Sequence, residues 1–131
     1  MKILTLKDRI KITINDVEFY VSPLSREAKR ELAGCRFVEA GEEKMDLYQA
    51  NSILLKYGLK DVKGLTDYQD EPYKLEFDGD ALTDDCISDI LNIPFKDKLL
   101  AASWSVSNGS HEDFNLDGVA LEVVQKKKPE S

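Results

Sequence analysis

The sequence predicts a single α+β domain over residues 1–125, in which a small, mostly antiparallel sheet packs against about four helices. Its 131 residues suit one domain, and 42% hydrophobic with 33% charged residues is the composition of a folded chain. Apolar residues recur first at every second position and later at every third or fourth. These strand-like and helix-like patterns come in blocks, which favours α+β over the strict alternation of α/β folds.

A β-hairpin is the first predicted element. Asn15-Asp16 tolerates the positive φ angles of a two-residue turn. Pairing the flanking residues across this turn places six apolar side chains on one face: Ile10, Ile12, Ile14, Val17, Phe19 and Val21. That face is therefore predicted to be buried.

Two helices are predicted next. Ser25 is placed to cap the first, and Glu27 lies near the positive end of its dipole. Its apolar stripe comprises Ala28, Leu32 and Cys35. Gly41 marks a loop before a second helix over residues 44–57, which Gly58 ends. The stripe of this second helix comprises Leu47, Ala50, Leu54 and Tyr57.

Short extended segments dominate after the second helix. Strands are predicted over residues 59–62 and 73–77, with an acidic loop over residues 67–71 between them. A last strand is predicted near the end of the domain from the alternation of Val119, Leu121 and Val123.

Two further helices are predicted between these strands. Thr83 is a suitable N-cap, and the third helix buries Ile87, Ile90 and Leu91. Pro94 is suited to the first turn of a fourth helix that ends at Asn108-Gly109. This helix carries Phe95, Leu99, Ala102 and Val106.

Charge is distributed unevenly along the chain. Residues 1–64 carry a formal charge of +2 and residues 65–125 carry −11, within a total of −7. Each phosphate contact needs Lys or Arg, and an acidic balance works against such contacts, so no nucleic-acid partner is predicted. No apolar run approaches the roughly 20 residues of a spanning helix, which predicts a cytoplasmic protein without a membrane contact. Residues 126–131, which are polar and carry three lysines, are predicted to form a disordered basic tail.

No catalytic, cofactor or metal site is predicted. His111 is the only histidine and lies in a polar stretch typical of an exposed loop. Cys35 and Cys86 are interpreted as core thiols, with a disulfide as the alternative. An enzyme that uses carboxylates alone is a second alternative, although the spacing of its candidates suits helix capping better: Asp84, Asp85 and Asp89.

Several short segments carry a family resemblance. A Ser-Pro-Leu-Ser break over residues 22–25 follows the hairpin, and residues 60–65, Lys-Asp-Val-Lys-Gly-Leu, form a strand that turns through a glycine. Asp67, Asp70 and Pro72 follow in the acidic loop. Over residues 10–100 this order resembles the tail assembly chaperones of long-tailed phages.

The resemblance implies a non-catalytic protein of the host cytoplasm that is absent from the finished virion. Such proteins coat the tape measure protein and help to recruit the major tail protein during tail-tube assembly. A longer form made by programmed frameshifting is also implied, and Lys126 to Lys128 is consistent with an adenine-rich slippery sequence or with an ordinary basic tail. The competing interpretations are a structural tail or connector component retained in the virion and an acidic inhibitor that imitates nucleic acid.

The candidate binding residues are Asp67, Asp70, Glu71 and Trp104. The first three are the carboxylates left after capping and turn residues are assigned. Trp104 lies off the centre of the fourth helix's apolar stripe, which suits either a core edge or a surface contact. The basic first half and acidic second half also predict head-to-tail self-association into a ring or spiral, with a merely solubilising negative surface as the alternative.

Overall fold

A four-stranded antiparallel sheet forms the centre of the fold, and helices cover one of its faces, which confirms the predicted α+β class. The structure, a computed structural model, describes residues 1–125, so the predicted basic tail lies outside the described residues. The strands are β1 (Ile10–Ile14), β2 (Val17–Val21), β3 (Arg36–Glu39), β4 (Glu42–Met45), β5 (Leu59–Lys63), β6 (Phe77–Asp78), β7 (Ala81–Leu82) and β8 (Val119–Val123). The helices are α1 (Arg26–Ala33), α2 (Leu47–Gly58), α3 (Asp84–Leu91) and α4 (Lys96–Ser107), and His111–Asp113 forms one 3-10 turn.

The predicted hairpin is confirmed in its register. Ile10 lies opposite Val21 and Ile14 opposite Val17, with positive φ at both turn residues between them. The sheet order is β5-β2-β1-β8, and all neighbours run antiparallel. The last predicted strand, β8, therefore pairs with β1, the first strand of the chain, and forms one edge of the sheet.

The main core lies between this sheet and the helices. All six alternating hairpin residues are buried, together with side chains from every helix, such as Ala28, Leu54, Ile90 and Leu99. Phe19 is completely buried and meets Phe95 edge to face, with the ring centroids 6.1 Å apart. The opposite face of the sheet carries polar residues, as the alternation requires.

The prediction for the first helix was wrong in its length. α1 ends at Ala33 because the chain turns at Gly34, and residues 36–45 form the β3–β4 hairpin where a helix and loop were predicted. Cys35 lies between these elements and is nevertheless buried, beside Ala50 and Ile53 of α2. Burial of Cys35 was therefore predicted correctly, but from the wrong element.

The second helix begins three residues later than predicted. Asp46 is its N-cap, and its carboxylate accepts a hydrogen bond from the Gln49 N–H at 3.1 Å. Leu47 lies in the first turn with 64% of its surface exposed, so its place in the predicted apolar stripe was wrong. Burial of Ala50 and Leu54 is confirmed.

Two other boundaries differ from the prediction. Of the strand predicted over residues 73–77, only Phe77 pairs as a strand, in β6, and the Tyr73 N–H bonds instead to the Leu65 carbonyl at 2.8 Å. The fourth helix begins at Lys96, and Pro94 lies in the preceding turn. Cys35 and Cys86 are both buried and free, as core thiols would be.

The cap predicted at Thr83 is confirmed and gives a stability test. The Thr83 hydroxyl accepts a hydrogen bond from the Cys86 N–H at 3.4 Å, and Asp84 and Asp85 occupy the first turn of α3. Thr83→Ala is expected to lower the free energy of unfolding by about 1 kcal/mol, measured by urea denaturation. Thr83→Ser keeps the acceptor and serves as the control. Equal stability of the alanine and serine variants would contradict the capping role.

Candidate protein-binding site

The acidic loop between β5 and β6 is an ordered structure closed by backbone hydrogen bonds. Thr66 and Pro72 form an isolated antiparallel bridge, and Tyr73 N–H bonds to the Leu65 carbonyl just outside it. Inside the bridge, the Asp67 N–H donates to the Glu71 carbonyl at 2.9 Å. The loop is therefore a small closed ring of residues and not an open segment.

Asp67 organises the inside of this ring. Its carboxylate oxygen Oδ1 accepts hydrogen bonds from the Gln69 N–H at 2.8 Å and the Glu71 N–H at 3.1 Å. Its own carbonyl accepts the Asp70 N–H at 3.1 Å. A carboxylate that bonds to backbone N–H groups two and four residues later fixes the local turn. Asp67 thus holds the loop in shape, and its carboxylate is only partly available to a partner.

Four side chains of this loop besides Asp67 are exposed, namely Tyr68, Gln69, Asp70 and Glu71. Tyr68 is fully exposed, and Asp70 and Glu71 are exposed beside it. Asp70 has a φ of 60°, a left-handed conformation that Asp tolerates better than most residues. The loop therefore displays one aromatic ring with two carboxylates on a fixed backbone.

Both ends of the loop are anchored to the domain. At one end, the Tyr73 hydroxyl donates to the Asp89 carboxylate of α3 at 2.8 Å. Burial raises the pKa of Tyr73, and the neighbouring Cys86 and Asp89 raise this pKa further, so the hydroxyl remains a donor. At the other end, Gly64 passes close to the carbonyl of Asp16 in the β1–β2 turn. These anchors fix where the loop lies relative to the sheet.

Trp104 lies in a different part of the fold. It is half-buried on α4, contacts both core clusters, and donates its indole N–H to the Asn51 side chain of α2 at 2.9 Å. Within residues 1–125, no hydrogen bond or ring contact joins Trp104 to the acidic loop. The four predicted site residues therefore divide into a loop group of three and a separate tryptophan at the α2–α4 junction.

The other crowded carboxylates have structural roles. Asp84 and Asp85 lie in the first turn of α3, and Asp89 accepts the hydrogen bond from Tyr73. In the part of the chain that the structure describes, no three His, Cys, Asp or Glu side chains are grouped so that they could hold a metal ion. The same residues contain no helix long and apolar enough to cross a membrane.

The position of His111 differs from the prediction. It is half-buried in the 3-10 turn, and its Nδ1 atom has no hydrogen-bond partner within residues 1–125. It lines a cleft of about 680 Å³ between the N-terminal segment and the end of α4, together with Leu4, Lys29 and Glu112. The expectation of an exposed loop histidine was therefore wrong.

Sequence reasoning missed Tyr68 as a candidate site residue. The available signal was an aromatic residue between acidic and amide side chains in a turn, where no core position explains it. It also missed the exposed hydrophobic residues of the β3–β4 hairpin, Phe37 and Val38.

Known proteins provide no template for this site. The chain matches no protein-family model, no curated protein and no solved structure.

Proposed function

We propose that this protein is a non-catalytic assembly factor of the tail assembly chaperone kind, which coats the tape measure protein and helps to recruit the major tail protein in the host cytoplasm. The observation that supports this proposal best is the ordered acidic loop, which presents Tyr68, Asp70 and Glu71 to solvent. These side chains suit binding to a protein surface.

Preorganisation is the physical reason why such a loop suits binding. Association costs free energy for every loop or side chain that must be ordered. The Asp67 hydrogen bonds and the Thr66–Pro72 bridge have already ordered this backbone in the free protein. A partner therefore needs to immobilise only side chains, and tyrosine has few rotatable bonds to lose.

The chemistry of the loop defines its partner. Tyrosine is enriched among the residues that dominate interface energies, and Asp70 with Glu71 attracts Lys or Arg at the rim. The surrounding residues 65–125 carry a formal charge of −11, which extends this attraction beyond the loop. The matching surface is a basic one with an apolar recess for one ring. A long helical protein with repeated basic and apolar positions can offer this surface many times.

Trp104 supports the proposal less directly. Its indole N–H is already bonded to Asn51, and part of its ring packs on the core. Only the exposed part of the ring is left for a partner. Substitution of Trp104 would also loosen the α2–α4 junction, so the loop residues are the better probes.

The proposal is tested by capture of the products of neighbouring genes, above all any very long helical protein. Tyr68→Ala is expected to weaken that capture about tenfold or more, because it removes the central anchor. The double substitution Asp70→Asn with Glu71→Gln keeps the side-chain shapes and removes two charges, so we expect slower association and weaker binding at low salt. Affinity and association rate are measured by surface plasmon resonance.

Glu112→Gln with Asp113→Asn is the matched control, since it removes two exposed charges from a different site. Binding by this control is expected to weaken much less than binding by the loop variant, because its two charges lie outside the proposed contact. The proposal fails if no such long helical protein is captured, or if the loop and control variants bind equally well. Mass spectrometry of purified virions tests the remaining part, because an assembly factor is absent from particles and a structural tail component is retained.

A further inference from the structure

The two edges of the main sheet differ in how they are protected. β5 and β8 are the edge strands, and each directs unpaired backbone groups away from the sheet. Such edges are templates for pairing with another strand unless they are blocked. The state of each edge therefore indicates whether this sheet can accept a further strand.

The β5 edge is blocked by its own residues. The Val62 N–H donates to the carboxylate of its neighbour Asp61 at 2.9 Å. The ladder between β2 and β5 is also irregular between Tyr20 and Val21, which shortens the regular part of the strand. A strand added at this edge would have to break the Asp61 hydrogen bond.

The β8 edge is open along Leu121 and Val123, whereas the Val119 N–H at its start donates to the Leu116 carbonyl at 3.1 Å. The Val124 N–H donates to the Arg9 carbonyl at 2.9 Å, which places Val124 among the residues that bond to the β1 side. Backbone groups alternate in direction along an antiparallel strand, so Ala120 and Glu122 also face β1, whereas Leu121 and Val123 face outward. Within residues 1–125, no hydrogen bond reaches the outward N–H groups of these two residues.

The side chains of β8 are incompletely covered as well. Val119, Leu121 and Val123 lie on the apolar face of the sheet, but each is only half-buried, and within residues 1–125 no strand lies beyond them. Leu116 and Val124, on either side of the strand, are each 37% exposed. A further strand would cover these apolar groups and pair the outward backbone groups at the same time.

We propose that the β8 strands of two copies of this chain pair antiparallel about a two-fold axis at Leu121. In this register Leu121 faces Leu121 of the second copy, Val119 faces Val123, and Ala120 faces Glu122. The two four-stranded sheets then form one continuous eight-stranded sheet. The axis is perpendicular to the sheet, so the apolar faces of both copies lie on the same side.

The sequence of β8 is self-complementary in this register. Every apolar residue of the buried face meets another apolar residue, and no like charges are opposed. Each Glu122 keeps its ion pair with Lys11 of its own copy, 3.2 Å away. A two-fold axis at Glu122 would place two glutamates directly opposite each other, so that register is disfavoured. An axis at Val119 or Val123 would pair fewer residues of the strand.

This contact is separate from the acidic loop and has a different salt dependence. Backbone hydrogen bonds and apolar contacts persist at high salt, whereas the head-to-tail association predicted from the charge halves weakens. The two kinds of self-association are therefore distinguished by one salt series. Removing the charges of the acidic loop leaves the β8 contact intact, so the proposed partner binding and the proposed dimer can fail independently.

Ala120 provides the test, because its side chain is exposed and would face Glu122 of the second copy. Ala120→Glu places a glutamate opposite Glu122 at both ends of the two-fold contact. These two like-charge pairs are expected to raise the dimer dissociation constant about tenfold. Ala120→Lys creates two opposite-charge pairs and is expected to lower it. Dissociation constants are measured by sedimentation equilibrium over a wide concentration range.

Ala101→Glu is the matched control, the same change at an exposed position of α4. Amide hydrogen exchange adds a site-specific readout: exchange at Leu121 and Val123 should slow as the protein concentration rises. A monomer at all concentrations, amides protected already in the monomer, or equal effects of Ala120→Glu and Ala101→Glu would each overturn the proposal. Opposite shifts for the two Ala120 variants, with the control unchanged, would support it.

Discussion

Phe19→Ala is expected to lower the free energy of unfolding by about 4 kcal/mol, which is a large part of the roughly 5–15 kcal/mol that stabilises a typical domain. Phe19 is completely buried in β2, one of the two central strands, and packs edge to face on Phe95. Its removal loses hydrophobic transfer energy and leaves a cavity that the sheet cannot close. Urea denaturation followed by circular dichroism measures the change.

Phe77→Ala is the control for this prediction. Phe77 is 41% exposed in the short strand β6, so its loss should cost much less. Combining Phe19→Ala with Phe95→Ala in a double-mutant cycle isolates the contact between the two rings, which is expected to contribute about 1 kcal/mol. If Phe19→Ala and Phe77→Ala proved equally destabilising, the position of the main core would be wrong.

The elements with one buried face were predictable from the sequence. The β1–β2 hairpin was predicted with its register, because alternation of six apolar residues and a turn-forming dipeptide agree on one pairing. The cap at Thr83 was predictable because hydroxyl and carboxylate residues stand at the start of an apolar stripe. In each case local chemistry and burial indicated the same structure.

The β3–β4 hairpin was not predictable in this way. All four residues of β3 are exposed, as are three of the four in β4, so burial leaves no alternating pattern in their sequence. Its cross-strand contacts include exposed ion pairs between Arg36 and Glu43 and between Lys44 and Glu39, which are each weak in water. Ala28, Leu32 and Cys35 also fit helical spacing, which extended the predicted helix across this region.

The candidate site was predictable in position but not in its internal organisation. Asp67, Asp70 and Glu71 were identified because helix capping and strand ends did not account for them. That Asp67 bonds inward to the backbone while Tyr68 points fully outward depends on the closed shape of the loop. Hydrophobic periodicity cannot predict the shape of this loop, because the loop has no repeating buried face.

Gly64→Ala is expected to lower the free energy of unfolding by about 2–3 kcal/mol. Gly64 has a φ of 86°, which is unfavourable for residues with a Cβ atom. A Cβ atom at this position would lie 2.8 Å from the carbonyl oxygen of Asp16, closer than such atoms approach in proteins. Relief would require the backbone of β5 and the β1–β2 turn to separate. Urea denaturation measures the cost.

Gly79→Ala separates the backbone strain of a positive φ from the close contact of an added Cβ atom. Gly79 also has a positive φ, 63°, but an added Cβ atom would contact nothing within 4 Å. Its substitution should cost about 1 kcal/mol, from backbone strain alone.

Gly64 also immediately precedes Leu65, whose carbonyl closes the acidic loop through Tyr73. Gly64→Ala should therefore also weaken partner capture under conditions where the variant is still folded, whereas Gly79→Ala should not. Equal stability losses for the two variants would show that the close approach to Asp16 does not constrain the chain at the base of the loop.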